Sequence, residues 1–137
     1  MRISHEQARY WFQQAAVARL ATADPEARPH LVPVTFAVRG DVLVTAVDHK
    51  PKSTTALRRL RNIERNPQVA LLVDHYSADW EQLWWARADG RAEVRPAERH
   101  PELVGALTAK YEQYRHHPPR LDLIVVRVER WSGWRAA

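Results

Sequence analysis

The stretch HLVPVTFAVRGDVLVTAV, His30 to Val47, decides the fold class. Both halves are rich in β-branched residues, and Arg39-Gly40-Asp41 between them predicts a hairpin turn. The first half, His30–Val38, reads as a strand interrupted by Pro33, and the second, Asp41–Val47, as its partner. Proline cannot donate to a ladder. Pro33 therefore predicts an edge strand, a bulge, or a place where something other than a strand lies alongside. A plain edge strand and a flat ring lying against HLVPV satisfy that condition equally.

Towards the N-terminus, Ser4-x-x-Gln7 is a capping-box pattern that opens an amphipathic helix running to about Ala18. Val17–Ala23 alternates as a strand and turns at Pro25-Glu26. Towards the C-terminus, the loop Asp48-His49-Lys50-Pro51-Lys52 leads into a helix over Ser53–Arg65, with Ala56, Leu57, Leu60 and Ile63 at helical spacing. Asn66-Pro67 stops it. Val69–His75 predicts a strand, Glu81–Val94 a longer one with a bend at Gly90, Ala97–Tyr114 a helix, and Leu121–Trp131 the last strand. Strands joined by short turns favour antiparallel pairing, and closing such a sheet removes its edges. The pattern predicts a mainly β (α+β) chain, one domain over residues 1–137, built as a six-stranded antiparallel barrel with peripheral helices.

Composition is that of a packed globular domain: 45% hydrophobic and 27% charged in 137 residues. The chain has no cysteine, which excludes disulfides, thiolate catalysis and cysteine-ligated metal centres. No apolar run is long enough to span a bilayer, and the N-terminal residues lack a signal-peptide core, so a soluble cytoplasmic protein that makes no membrane contact is expected. The net charge of +5 raises nucleic acid as a partner. The basic residues are scattered along the chain, however, and no nucleic-acid binding is expected. Only Lys50, Lys52 and Lys110 are lysines, so two of the three fall in one short loop.

That loop carries the first chemical signal. In VLVTAVDHKPKSTTALRRLR, residues 42–61, a strand delivers Lys50 and Lys52 to a helix opened by Ser53, Thr54 and Thr55. A helix N-terminus offers free backbone N–H groups and partial positive charge, so the unit could cradle a phosphate. It reads equally well as a capped helix beside two solvated lysines. The second signal is six tryptophans, an unusual load for this length. Trp84 and Trp85 must face opposite sides of a strand, one towards the core and one towards a pocket or a second copy. His75 and Tyr76 are weak candidates for a proton donor. No HExxH spacing or G-x-S-x-G elbow is present, so neither a metal centre nor a serine hydrolase is expected.

The order HLVPVTF, DVLVTAVDHKPKS, NPQVALLVDHY, WEQLWWARADGRAEV and RWSGW resembles the pyridoxamine-phosphate-oxidase-like split-barrel superfamily over nearly the whole chain. Within it the nearest likeness is to probable F-420-dependent oxidoreductases of the actinobacterial type. The resemblance implies a six-stranded split barrel that dimerises, with cofactor sites between the subunits. It implies that His30, Val32, Pro33, Val34, Val44 and Thr45 line the deazaflavin ring and its side chain. Lys50, Lys52 and Ser53 would hold the phosphate, and Trp85, Trp131 and Trp134 would close the site. The implied cofactor is coenzyme F-420, with FMN as the alternative. The implied activity is hydride transfer to a small-molecule acceptor, with a non-catalytic carrier or sensor as the other reading. Pyridoxamine-phosphate oxidases carry an arginine–histidine pair near the C-terminus. The corresponding stretch here, Arg130-Trp131-Ser132-Gly133-Trp134-Arg135, has no histidine, which speaks against vitamin B6 chemistry.

Overall fold

The structure, a computed structural model, describes residues 1–47 and 54–136, with no side-chain detail at 54–57. Among the described residues, four α-helices, α1 (His5–Gln14), α2 (Thr54–Arg65), α3 (Pro101–Lys110) and α4 (Glu112–His116), accompany seven strands. These are β1 (Ala18–Ala23), β2 (Pro29–Val34), β3 (Ala37–Arg39), β4 (Val42–Ala46), β5 (Gln68–His75), β6 (Trp84–Pro96) and β7 (Asp122–Arg135). They form one antiparallel sheet in the order β2-β1-β5-β6-β7-β4-β3.

The sheet has seven strands and is open in its hydrogen bonding, which corrects the expected six-stranded closed barrel. The difference arises within His30–Val38, read from sequence as one strand. The chain leaves the ladder at Thr35-Phe36, and β2 and β3 become the two opposite edges of the sheet. Tyrosines hold this corner. The Phe36 N–H donates to the Tyr111 hydroxyl at 3.0 Å, and the Thr35 and Tyr114 hydroxyls share a hydrogen bond of 2.7 Å. The Tyr111 O–H lies within reach of the Ala16 carbonyl at 2.8 Å and the Phe36 carbonyl at 3.0 Å. Three Cα steps separate Val34 from Ala37, so the two edges approach within about 11 Å there and the sheet must roll.

Other boundaries shift for local reasons. Ser4 caps α1 by accepting from the Gln7 N–H at 3.1 Å, as the capping pattern requires, but the helix stops at Gln14 because Ala15 is extended. The span expected as one helix, Ala97–Tyr114, divides into a 3-10 turn at Ala97–Arg99, then α3 and α4. Pro101 starts α3, and Tyr111 is extended between the two helices. The strand expected from Glu81 begins at Trp84 after a 3-10 turn capped by the Asp79 side chain. The last strand continues through Trp134 to Arg135, so both C-terminal tryptophans lie in the ladder.

The register sorts the side chains onto two faces. The inner face packs Leu20, Leu43, Leu71, Val73, Ile124, Val126 and Trp131 around Phe12 of α1, Ile63 of α2 and Phe36. Against the outer face of β3, β4 and the first half of β7, α3 buries Leu103 and Leu107 on Ala37, Val44 and Leu123. The rest of the outer face, on β2, β1, β5, β6 and the end of β7, lies away from these helix contacts. No helix among the described residues is long and apolar enough to cross a membrane.

Candidate functional site

The uncovered outer face is set by strand alternation, since every second residue of each strand points there. Its densest part is a row across three strands, in which Asp74 pairs with Trp85 and Trp85 with Trp134. The next row runs Pro33, Arg19, Leu72, Arg87 and Ser132. Leu72, Asp74, Tyr76, Trp85 and Arg87 line a shallow depression of ≈ 370 Å³. The Arg87 guanidinium lies over the Trp85 ring, 5.7 Å from its centroid, and donates to the Asp89 carboxylate at 2.9 Å. That ion pair holds Arg87 along the sheet and leaves a broad aromatic surface with a fixed positive edge. Trp134 and Leu72 are each 37% exposed and Leu31, on the edge strand β2 of the same face, 65%. In the adjoining row the Ser132 hydroxyl oxygen is buried and has no hydrogen-bond partner among the described residues. Buried polar atoms are nearly always paired, so Ser132 fits a ligand or second chain with a polar edge over this face.

On the opposite, inner side of the sheet, Trp11, Trp84 and His75 form an aromatic series. Trp11 and Trp84 have centroids 4.4 Å apart, and His75 stacks on Trp84 at 6.4 Å with 23° between the planes. Trp84 belongs to the inner side and Trp85 to the outer, as adjacent strand residues must. Tyr76 lies at the rim of the depression with its ring exposed.

The residues implied as cofactor-binding separate into groups. Trp85 and Trp134 come together on the outer face, and Pro33 stands on the same face at the β2 edge. His30, Val32 and Val34 point to the other side. Val44 is covered by α3, Thr45 is 1% exposed in the core, and Trp131 is 5% exposed. Trp131 acts as a core residue, packed edge-on against Phe12 with its indole N–H donating to the Asp41 carboxylate at 2.8 Å. Lys50, Lys52 and Ser53 lie outside the described residues.

Sequence reasoning missed a second concavity, because its residues are far apart in the chain. A groove of ≈ 660 Å³ runs between α2 and the β1–β2 turn, lined by Arg28, His30, Arg58, Arg61, Asn62 and Arg65 with Asp24 and Glu26. Its walls are tied by a buried hydrogen bond, Asn62 Nδ2 to Thr22 Oγ1 at 3.1 Å. Burial, and then the nearby Arg58 and Arg59 charges, hold the His30 pKa below the ordinary histidine value. The only available signal was the arginine spacing at 58, 61 and 65, one face of a helix.

Residues 4–135 match the family model described as pyridoxamine 5'-phosphate oxidase. The chain belongs to the pyridoxamine 5'-phosphate oxidase family. Solved structures share the fold of this family member at low identity. An FAD-binding protein from Mesorhizobium loti superimposes with a TM-score of 0.74 at 18% identity, covering 97% of this chain and 95% of that one. A heme binding protein from Mycobacterium smegmatis gives a TM-score of 0.75 at 22% identity, over 98% of this chain and 55% of its own. A heme storage protein from Vibrio cholerae gives 0.70 at 17% identity, over 95% and 92%. No curated protein matches the chain in sequence. One family fold thus carries flavin and heme proteins alike, and the choice between them rests on each chain's own site.

Proposed function

We propose that this family member is an oxidoreductase that binds the deazaflavin F-420 as a homodimer and uses it to reduce a small-molecule acceptor. FMN is the alternative cofactor. The observation that carries the reading is the Trp85–Trp134 pair, in register on an uncovered sheet face beside Arg87 and the unpartnered Ser132 hydroxyl. Such a surface suits a flat, polar-edged ring: the indoles supply stacking area, Arg87 a positive edge, and Ser132 a hydrogen bond. The FAD-binding relative of the same fold supports a flavin-type ligand. A second copy seated on Leu31, Leu72 and Trp134 would enclose the ring and exclude water from it.

When bound, the deazaflavin supplies hydride, and the protein's part is position and electrostatics. Lys50, Lys52 and Ser53 are assigned to the cofactor phosphate on the pattern of their loop. Tyr76, exposed at the rim of the depression, is the group best placed to give the acceptor a proton. A C-terminal strand without histidine argues against pyridoxal phosphate as the ligand.

Titration of the purified protein with F-420, FMN, heme and pyridoxal phosphate, followed by tryptophan fluorescence, tests this reading. F-420 should bind below about 10 μM, roughly −7 kcal/mol, and more tightly than the others. Tight binding of heme, with none of F-420 or FMN, would overturn it. For the phosphate, Lys50→Ala and Lys52→Ala should weaken the full cofactor and spare its phosphate-free analogue.

A further inference from the structure

A third concavity lies on the inner side of the sheet, where α1 ends. The helix stops at Gln14, and the chain passes through Ala15 and Ala16 towards β1, leaving a pocket of ≈ 260 Å³ against the ends of β5 and β6. Trp11 and Trp84 border it, with centroids 4.4 Å apart and planes tilted by 42°, and His75 lies beside Trp84. Both indoles pack against the core yet stay partly exposed. Buried Val73 and exposed Val17 supply the apolar part of the wall.

The electrostatics of this pocket are one-sided. Its lining holds no lysine or arginine, and its single carboxylate, Asp74, is exposed. None of the ion pairs among the described residues engages Asp74. The last turn of α1 carries no basic residue, and Gln14 borders the pocket, so the partial negative charge of the helix C-terminus falls there as well. Indole faces attract cations through their own negative potential. Three sources of negative potential therefore meet in one small space. The apolar part of the wall narrows the ligand further. A primary ammonium brings three N–H donors that each need an acceptor, whereas a methylated one needs none and presents methyl groups to the alanines and valines. At ≈ 260 Å³ the pocket falls under the roughly 300–1,000 Å³ of drug-sized sites, which suits a compact head group.

We propose that the pocket between the end of α1 and strands β5 and β6 binds a methylated ammonium group, with Trp11 and Trp84 offering ring faces and Asp74 the counter-charge. The chemistry is that of free choline or of the choline head of glycerophosphocholine. The pocket shares only Asp74, at its rim, with the Trp85–Trp134 depression and does not depend on the cofactor reading.

Calorimetric titration of the full chain with choline, glycerophosphocholine, methylammonium and dimethylbutanol, the uncharged carbon isostere of choline, tests the proposal. Choline should bind below about 1 mM and at least about 10-fold more tightly than methylammonium or dimethylbutanol. Asp74→Asn should weaken choline about 2- to 5-fold, and its exposed position keeps the fold out of the comparison. Trp84→Leu should cost about 5-fold or more, and Trp84→Phe less, because a phenyl face attracts a cation more weakly than an indole but does not abolish the contact. Glycerophosphocholine binding tighter than choline would identify the phosphodiester as the source, and the reverse the free cation; both outcomes support the site. Equal binding of choline and dimethylbutanol would mean an apolar pocket indifferent to charge and overturn the proposal. Choline binding that a folded Trp84→Leu variant leaves unchanged would overturn it as well. So would binding lost in Trp134→Leu alone, which would place the cation on the outer face.

Discussion

Lys110 shows how one side chain can work against the fold that holds it. Its ammonium sits 3.8 Å from the Phe36 ring centroid, buried and without a hydrogen-bond partner among the described residues. Attraction to the ring offsets only part of the desolvation, and burial lowers the pKa from 10.5 to about 8. Above about pH 8 the unfolded chain therefore holds a proton that the folded chain has released, and stability rises with pH. Tyr111 has the opposite sign: burial raises its pKa above 10.0, so the folded chain keeps a proton there and stability falls. Urea midpoints should climb between about pH 8 and 10, and Lys110→Met should flatten that climb. An equal slope in the variant would remove Lys110 as its cause. Ala27 is a simpler case, a non-glycine residue at φ 62° in the β1–β2 turn. A left-handed L-residue is strained by about 1–2 kcal/mol, so Ala27→Gly should stabilise the chain by up to about 1 kcal/mol in urea melts. A destabilised variant would contradict this. Neither residue was legible in the sequence, because one depends on a ring 74 positions away and the other on a turn geometry that alanine does not advertise.

Elements were legible where local chemistry decided them. The Ser4 cap, the Gly40-Asp41 turn with Gly40 at φ 59°, the stop at Asn66-Pro67 and the edge position of the Pro33 strand all follow from residue type. Elements decided by distant partners were not. Nothing in VTFAV marks a corner until Tyr111 and Tyr114 arrive from the other end of the chain. The bend expected at Gly90 corresponds to a register shift between β6 and β7 at Asp89/Gly90. A Cβ at Gly90 would run into the Arg127 carbonyl, because the two backbones approach closely at the bulge. Gly90→Ala should cost about 2 kcal/mol or more in chemical denaturation. A loss under about 0.5 kcal/mol would mean that the bulge relaxes freely.

At the scale of the molecule, family membership and sheet order explain each other. A seven-stranded sheet whose edge strands are consecutive in the chain rolls upon itself, buries its inner face on α1 and α2, and leaves part of its outer face without a helix among the described residues. The tryptophan excess signalled that surface from sequence, although only Trp85 and Trp134 of the implied set stand on it. Trp131, two residues from Gly133, went to the core because alternation is set by the register and not by motif. The bare face motivates the dimer. Sedimentation should give a homodimer at micromolar concentration, with an interface above about 1,000 Å². A stable monomer with cofactor bound would contradict the enclosed site.

The most direct test is the F-420 dissociation constant of Trp85→Leu and Trp134→Leu, each checked for the dimer by sedimentation in the same buffer. Stacking on one indole is worth about 1–3 kcal/mol, so each folded, dimeric variant should bind F-420 at least about 5-fold more weakly. Trp80→Leu, far out on an exposed turn, should bind as the unaltered chain does. Undiminished F-420 binding in both dimeric variants would contradict the assignment of the ring to this face.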